Sequence, residues 1–115
     1  MSEQSELETS IHRYLAKRSG VSLVELARDI PGFNGDEVWG NLDNKVAIWI
    51  NMSKSAIAAM TSLIAADKIE ATPTNALVYA FDGGMLDMPI AKTIKRKYAK
   101  AHWFPVVFAG VRGVA

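Results

Sequence analysis

"MSKSAIAAMTSLIAADKIEATPTNALVYAFDG", Met52 to Gly83, says more about how this chain folds than any other stretch of it. Ser53 is placed to cap a helix reaching about Asp67, because its hydroxyl can accept from a free backbone N–H of the first turn. Ala56, Ile57, Met60, Leu63 and Ile64 mark the inner side of that helix, while Lys54, Ser55, Ala58, Ala59, Ser62, Ala65 and Ala66 lie mostly outward. After it, "KIEAT" (Lys68–Thr72) and "ALVYAF" (Ala76–Phe81) read as two strands joined by the turn residues Pro73, Thr74 and Asn75. Leu77, Tyr79 and Phe81 alternate with Ala76, Val78 and Ala80, the period of a half-buried strand, and Asp82-Gly83-Gly84 closes the hairpin.

Upstream, Leu7, Ile11, Tyr14 and Leu15 share one face of a helix expected from Glu3 to Ser19. Glu3, Glu6 and Glu8 near its start and Lys17 and Arg18 near its end complement the helix dipole, and Gly20 is placed to stop it. Ser22 opens a second helix, with Glu25 completing a capping box, Leu23, Leu26, Ala27 and Ile30 as the buried stripe, and Pro31-Gly32 as its end. "FNGDEVWGNLDN" (Phe33–Asn44) reads as a loop, because its Gly, Asn and Asp content breaks both periods. "KVAIWI" (Lys45–Ile50) reads as a short strand rich in the residue types that fill a pleated surface.

The order helix, helix, short strand, helix, hairpin, with "SLVELARDI" as the second helix and the Met52–Gly83 stretch as the third helix plus wing, resembles the winged helix-turn-helix fold over roughly residues 5 to 82. It is similar also to small bacterial and prophage-type proteins built on that fold. Where the family has a short turn between its second and third helices, about twenty residues intervene here. The expected architecture is therefore α+β: a winged-helix domain over 1–87, with a C-terminal extension, 88–115, packing on that domain or on a partner.

The chain has 115 residues, half of them apolar, which suits one domain with its own core. It has no cysteine, so disulfides and thiolate chemistry are excluded. The polar, acidic start "MSEQSELETS" is unlike a secretory signal, and no apolar run is long enough for a membrane span, so a cytoplasmic protein without a membrane role is expected. Charge is unevenly distributed. Residues 1–91 hold all 12 carboxylates and a balance of −5, whereas residues 92–115 hold no acid and a balance of +6. Such asymmetry suits a polyanionic partner or a tail folded back on its own acidic body.

Catalysis is not expected, and neither is a metal or cofactor: His12 and His102 have no nucleophile or carboxylate at a telling spacing, and the paired acids sit among turn residues. DNA binding is what the resemblance implies, with Lys54, Ser55, Ser62 and Lys68 on or next to the third helix facing the duplex. That helix and the wing are poor in cations; Lys92, Lys95, Arg96, Lys97 and Lys100, interleaved with Tyr98 and followed by Trp103, supply what they lack. Against this stands protein association. "HWFPVVF" (His102–Phe108) is an apolar strand needing cover, so Trp103, Phe104, Val106 and Phe108 either complete this chain's own sheet beside Lys45–Ile50 or join a homodimer or another partner. Pro105 suits an edge strand.

Overall fold

A computed structural model describes residues 3–111; the last of the tail's cations, Arg112, and the rest of segment 112–115 lie outside the described residues, as do Met1 and Ser2. The architecture is α+β, as expected. In chain order the elements are α1 (Glu3–Leu15), α2 (Leu23–Asp29), β1 (Asn34–Asn41), a 3-10 turn (Leu42–Asn44), β2 (Val46–Met52), α3 (Lys54–Ala65), β3 (Ile69–Pro73), α4 (Ala76–Phe81), β4 (His102–Trp103) and β5 (Val106–Gly110).

α1 buries Leu7, Ile11 and Leu15. It ends at Leu15 rather than Ser19 because the next residues, Ala16 to Gly20, are exposed and no packing sustains another turn; Gly20 then reverses the chain at φ 64°. α2 starts where its cap predicts: the Ser22 hydroxyl accepts from the Glu25 backbone N–H at 3.3 Å and itself donates to Asp82 at 2.5 Å. Glu25 also lies beside Asp82, and burial together with that neighbouring charge raises its carboxyl pKa above the ordinary value. A carboxyl whose pKa is raised by folding binds its proton more tightly in the native state, so its contribution to stability is present at acid pH and is lost as pH rises through the raised value. Glu25→Gln is therefore expected to raise the melting temperature at neutral pH and to leave it nearly unchanged at pH 4. The gain stays within about 1 kcal/mol because the pair is partly in water; a lower melting temperature at pH 7 would contradict it.

The segment expected as a loop is a strand. β1 runs antiparallel to β2, from Asn34 opposite Met52 to Asn41 opposite Val46, with irregular steps at Glu37 and Trp39. Its glycines signal close approach rather than a turn. A Cβ on Gly35 would stand 2.6 Å from the Ser53 Cα, and one on Gly40 would run into the carbonyl oxygen of Val46. Gly40→Ala should consequently cost about 1–3 kcal/mol in a thermal or urea melt, because backbone on both sides has to move. An unchanged midpoint would mean that the hairpin parts without cost.

α3 is capped by Ser53, whose hydroxyl accepts from the Ala56 N–H at 3.0 Å. Ala56, Ala59, Met60 and Leu63 are buried. Ala59, expected outward, is fully covered because α1 lies along that side, where Ser55 and Ser62 donate to Glu3 and Glu8. The small side chains of α3 thus admit a helix of the same chain.

"ALVYAF" is α4 and not a strand. The Asn75 side chain accepts from the N–H groups of Leu77 and Val78 at 3.0 and 3.4 Å, which starts a helix where a hairpin turn was expected. Of the three alternating residues only Tyr79 is buried, while Leu77 and Phe81 are 67% and 89% exposed, so a strand's period is present without a strand's packing. β3 pairs instead with β5, antiparallel, from Ile69 opposite Gly110 to Pro73 opposite Val106. On the other side of β5, Val21 exchanges backbone hydrogen bonds with Phe108 at 3.0 and 2.8 Å. β4 lies parallel to β2, giving a second sheet of order β1-β2-β4.

The two sheets and the helices meet around Tyr79. Its ring lies 5.0 Å from Trp49 and 5.1 Å from Trp103, the latter edge-on. Its hydroxyl donates to the Val106 carbonyl at 2.6 Å and accepts from the Leu23 N–H at 3.2 Å, and burial raises its pKa far above the usual phenol range. Trp103 is fully buried and donates through Nε1 to the Ile48 carbonyl at 3.1 Å.

Candidate nucleic-acid interface

The basic run folds as a closed loop on the surface rather than as a loose tail. Its two ends are joined where the Ala91 N–H donates to the Trp103 carbonyl at 2.7 Å and the Trp103 N–H donates to the Pro89 carbonyl at 2.8 Å. Within it, the Tyr98 hydroxyl accepts from the Lys92 N–H at 3.2 Å, and the Tyr98 ring stacks on His102 with centroids 3.9 Å apart. Such compact loops with adjacent ends are packed by their own side chains.

The tip of the β1-β2 hairpin fixes this loop from outside. Asn41 and Asn44 both donate side-chain amides to the Ile94 carbonyl, at 3.0 and 2.9 Å. The Tyr98 N–H donates to the Asn44 carbonyl at 3.1 Å, and Lys45 Nζ donates to the Ala99 carbonyl at 3.0 Å. These contacts use backbone groups of the loop, so its cations are left facing water. Lys92, Lys95, Arg96, Lys97 and Lys100 are all exposed. Among the described residues the only ion pair is Arg28 with Asp29, at 3.1 Å, so none of the five is neutralised by a carboxylate within 4.0 Å. Five like charges within nine residues repel one another unless an anion lies over them.

Next to the loop is an apolar groove of about 580 Å³. Ile94 forms its loop-side lip, Trp39 and Ile48 one wall, Thr61, Ile64 and Ala65 of α3 the other, with Phe104 and the β3-β5 ladder also contributing. The Trp39 ring stacks 6.0 Å from that of Phe108. A neighbouring recess shares Trp39, Ile48 and Ile94 and is lined also by Asp43.

The residues expected to face a duplex from the third helix are not gathered with the loop. Ser55 and Ser62 donate to Glu3 and Glu8 of α1, at 3.1 and 3.3 Å, and so point into an acidic surface. Lys54 is exposed at the first turn of α3. That end of α3 follows the last residue of β2, whereas the loop is tied near the first, roughly 20–25 Å away at the rise of a strand. Lys68 is exposed beside Ser5, Glu8 and His12.

Trp103, Val106 and Phe108 are buried in this chain's own core, and Phe104 is half-buried over the groove. The apolar strand therefore lies in its own sheets, which leaves Trp103, Val106 and Phe108 little to offer a partner, whereas Phe104 keeps part of its ring uncovered. Sequence reasoning missed Asn41, Asn44 and Trp39, the residues that place the loop and wall the groove; they lay in the stretch read as a loop.

No group of three or more His, Cys, Asp and Glu side chains able to hold a metal ion occurs among the described residues. No helix among them is long and apolar enough to cross a membrane. No known protein family, no curated protein and no solved structure matches the chain.

Proposed function

We propose that this chain binds nucleic acid through the Lys92–Lys100 loop, carried on a fold of winged-helix type. The observation that carries the reading is the pinned loop itself: five exposed cations, without carboxylate partners, on a backbone fixed by its neighbours. The strand order supports the fold. Val21, β5 and β3 lie side by side in that order, with α1 before Val21, α2 after it and α3 leading into β3. In a winged helix the wing joins the last two strands; here residues 74–105 occupy that position and include the basic loop. The β1-β2 hairpin is then an insertion between the second and third helices, and the polyanion is met by the wing rather than by the face of α3 carrying Ser55 and Ser62.

Fluorescence anisotropy with a labelled random-sequence oligonucleotide across a salt series tests this. Affinity should fall with salt along a log–log slope of about −3 to −4.5, the range for four or five phosphate contacts. No measurable binding at low salt, or binding indifferent to salt, overturns it.

One observation favours a second reading, association with protein. Leu77 and Phe81, one turn apart on α4, and nearby Met85 are 67%, 89% and 57% exposed, an apolar cluster of the kind that marks a contact surface. Sedimentation of the full chain beside Phe81→Ser checks it: an assembly that dissociates in the variant supports a homodimer, and a monomer at all concentrations removes that form of the reading.

A further inference from the structure

The groove beside the basic loop distinguishes two kinds of nucleic acid. A duplex offers phosphates on a convex surface with its bases stacked inside, so it can engage the five cations but cannot fill an apolar recess. A single strand offers phosphates and bare base faces together. Its bases stack on aromatic side chains, at about 1–3 kcal/mol each, while its backbone follows a cationic track.

We propose, resting on the nucleic-acid reading above, that the groove takes unpaired bases and that the chain therefore prefers single-stranded nucleic acid. Three features converge on this. At about 580 Å³ the groove is within the range of small-molecule sites. Trp39 and Phe104 provide aromatic surface that is only half-buried, unlike Trp49, Tyr79 and Trp103 in the core. Ile94 belongs both to the groove and to the cationic loop, so a base in the groove brings its phosphate to the side chains on either side of Ile94, from Lys92 to Lys97. Asp43, in the adjoining recess, is the nearby carboxylate, and its repulsion directs the backbone along the loop rather than over the hairpin tip.

The test uses the full chain with oligothymidylate, a hairpin duplex of equal charge, and an acidic amphipathic peptide, following both anisotropy and intrinsic tryptophan emission. Trp49 and Trp103 are buried, so a change in emission reports on Trp39, and it should vanish in Trp39→Phe. The single strand is expected to bind at least tenfold more tightly than the duplex and to change the emission. Ala65→Phe, which narrows the groove at an exposed position without altering charge, should reduce single-strand affinity tenfold or more while the salt slope is retained. Equal affinity for strand and duplex with unchanged emission overturns the groove assignment but leaves nucleic-acid binding standing. If neither oligonucleotide binds, both readings fall. If only the peptide changes the emission, the groove is a protein site and the proposal is overturned.

Discussion

A chain cut after Asp87 is expected not to fold cooperatively. The cut removes β4 and β5 and with them Trp103, Val106 and Phe108 from the core. It also leaves buried polar groups without partners: Tyr79 loses the Val106 carbonyl and Val21 loses both of its bonds to Phe108, while the half-buried Ile48 carbonyl loses the Trp103 indole. Each unsatisfied buried group costs about 1–3 kcal/mol, and domains of this kind have only about 5–15 kcal/mol to lose. Near-ultraviolet circular dichroism should show the loss of fixed aromatic packing. Trp103→Ala gives a graded version in the full chain, with an expected loss of about 3–5 kcal/mol in urea unfolding. If the shortened chain melted as sharply as the full one, the last part of the chain would be an appendage and the arrangement around Tyr79 would be wrong.

Replacing Lys92, Lys95, Arg96, Lys97 and Lys100 together by glutamine is expected to reduce affinity for any oligonucleotide at least about a hundredfold near 0.1 M salt and to flatten the salt slope by about 3 or more. Folding should hardly change. The loop is held by the backbone of Ile94, Tyr98 and Ala99 and by the Tyr98-His102 stack, which do not need those charges; Arg96 adds only an exposed contact, its guanidinium 5.7 Å from the Tyr98 ring centroid. A pair of substitutions elsewhere makes a control: Lys54→Gln with Lys68→Gln should shift the slope by less than any two of the loop substitutions, since those lysines lie near the acidic side of α1. If the pair of α3-side substitutions had the larger effect, the contact surface would be on α3 and the loop would be secondary.

Local signals in the sequence were sufficient for the parts of the fold that local chemistry decides. Ser22 and Ser53 mark the starts of α2 and α3 because a cap acts within three residues. "KVAIWI" is strand because its side chains suit a pleated surface in almost any context. The readings failed where distant residues decide. Gly35 and Gly40 look like loop residues until the backbone of Met52, Ser53 and Val46 is brought against them. Asn75 suits a turn as well as the cap of α4 that it forms, and the choice between the two depends on whether β3 pairs with the next segment or with Val106–Gly110, far along the chain. The candidate site divides the same way. Its cations are visible as composition, but their fixation by Asn41, Asn44 and Lys45 depends on a hairpin whose first strand was not recognisable.

The bridge between Val21 and Phe108 also bears on the kinetics of folding. Among the described residues β3 has β5 as its one ladder partner, and β5 also supplies the partner of Val21, so both segments wait for residues 106–110 before their backbone groups are satisfied. Helices α1 and α3 can form early from nearby contacts, but the β3-β5 ladder closes late against the entropy of a long intervening loop. During that interval the bare edge of β3 is open to strands of other molecules, which makes high protein concentration during refolding the condition under which this chain is most exposed to aggregation.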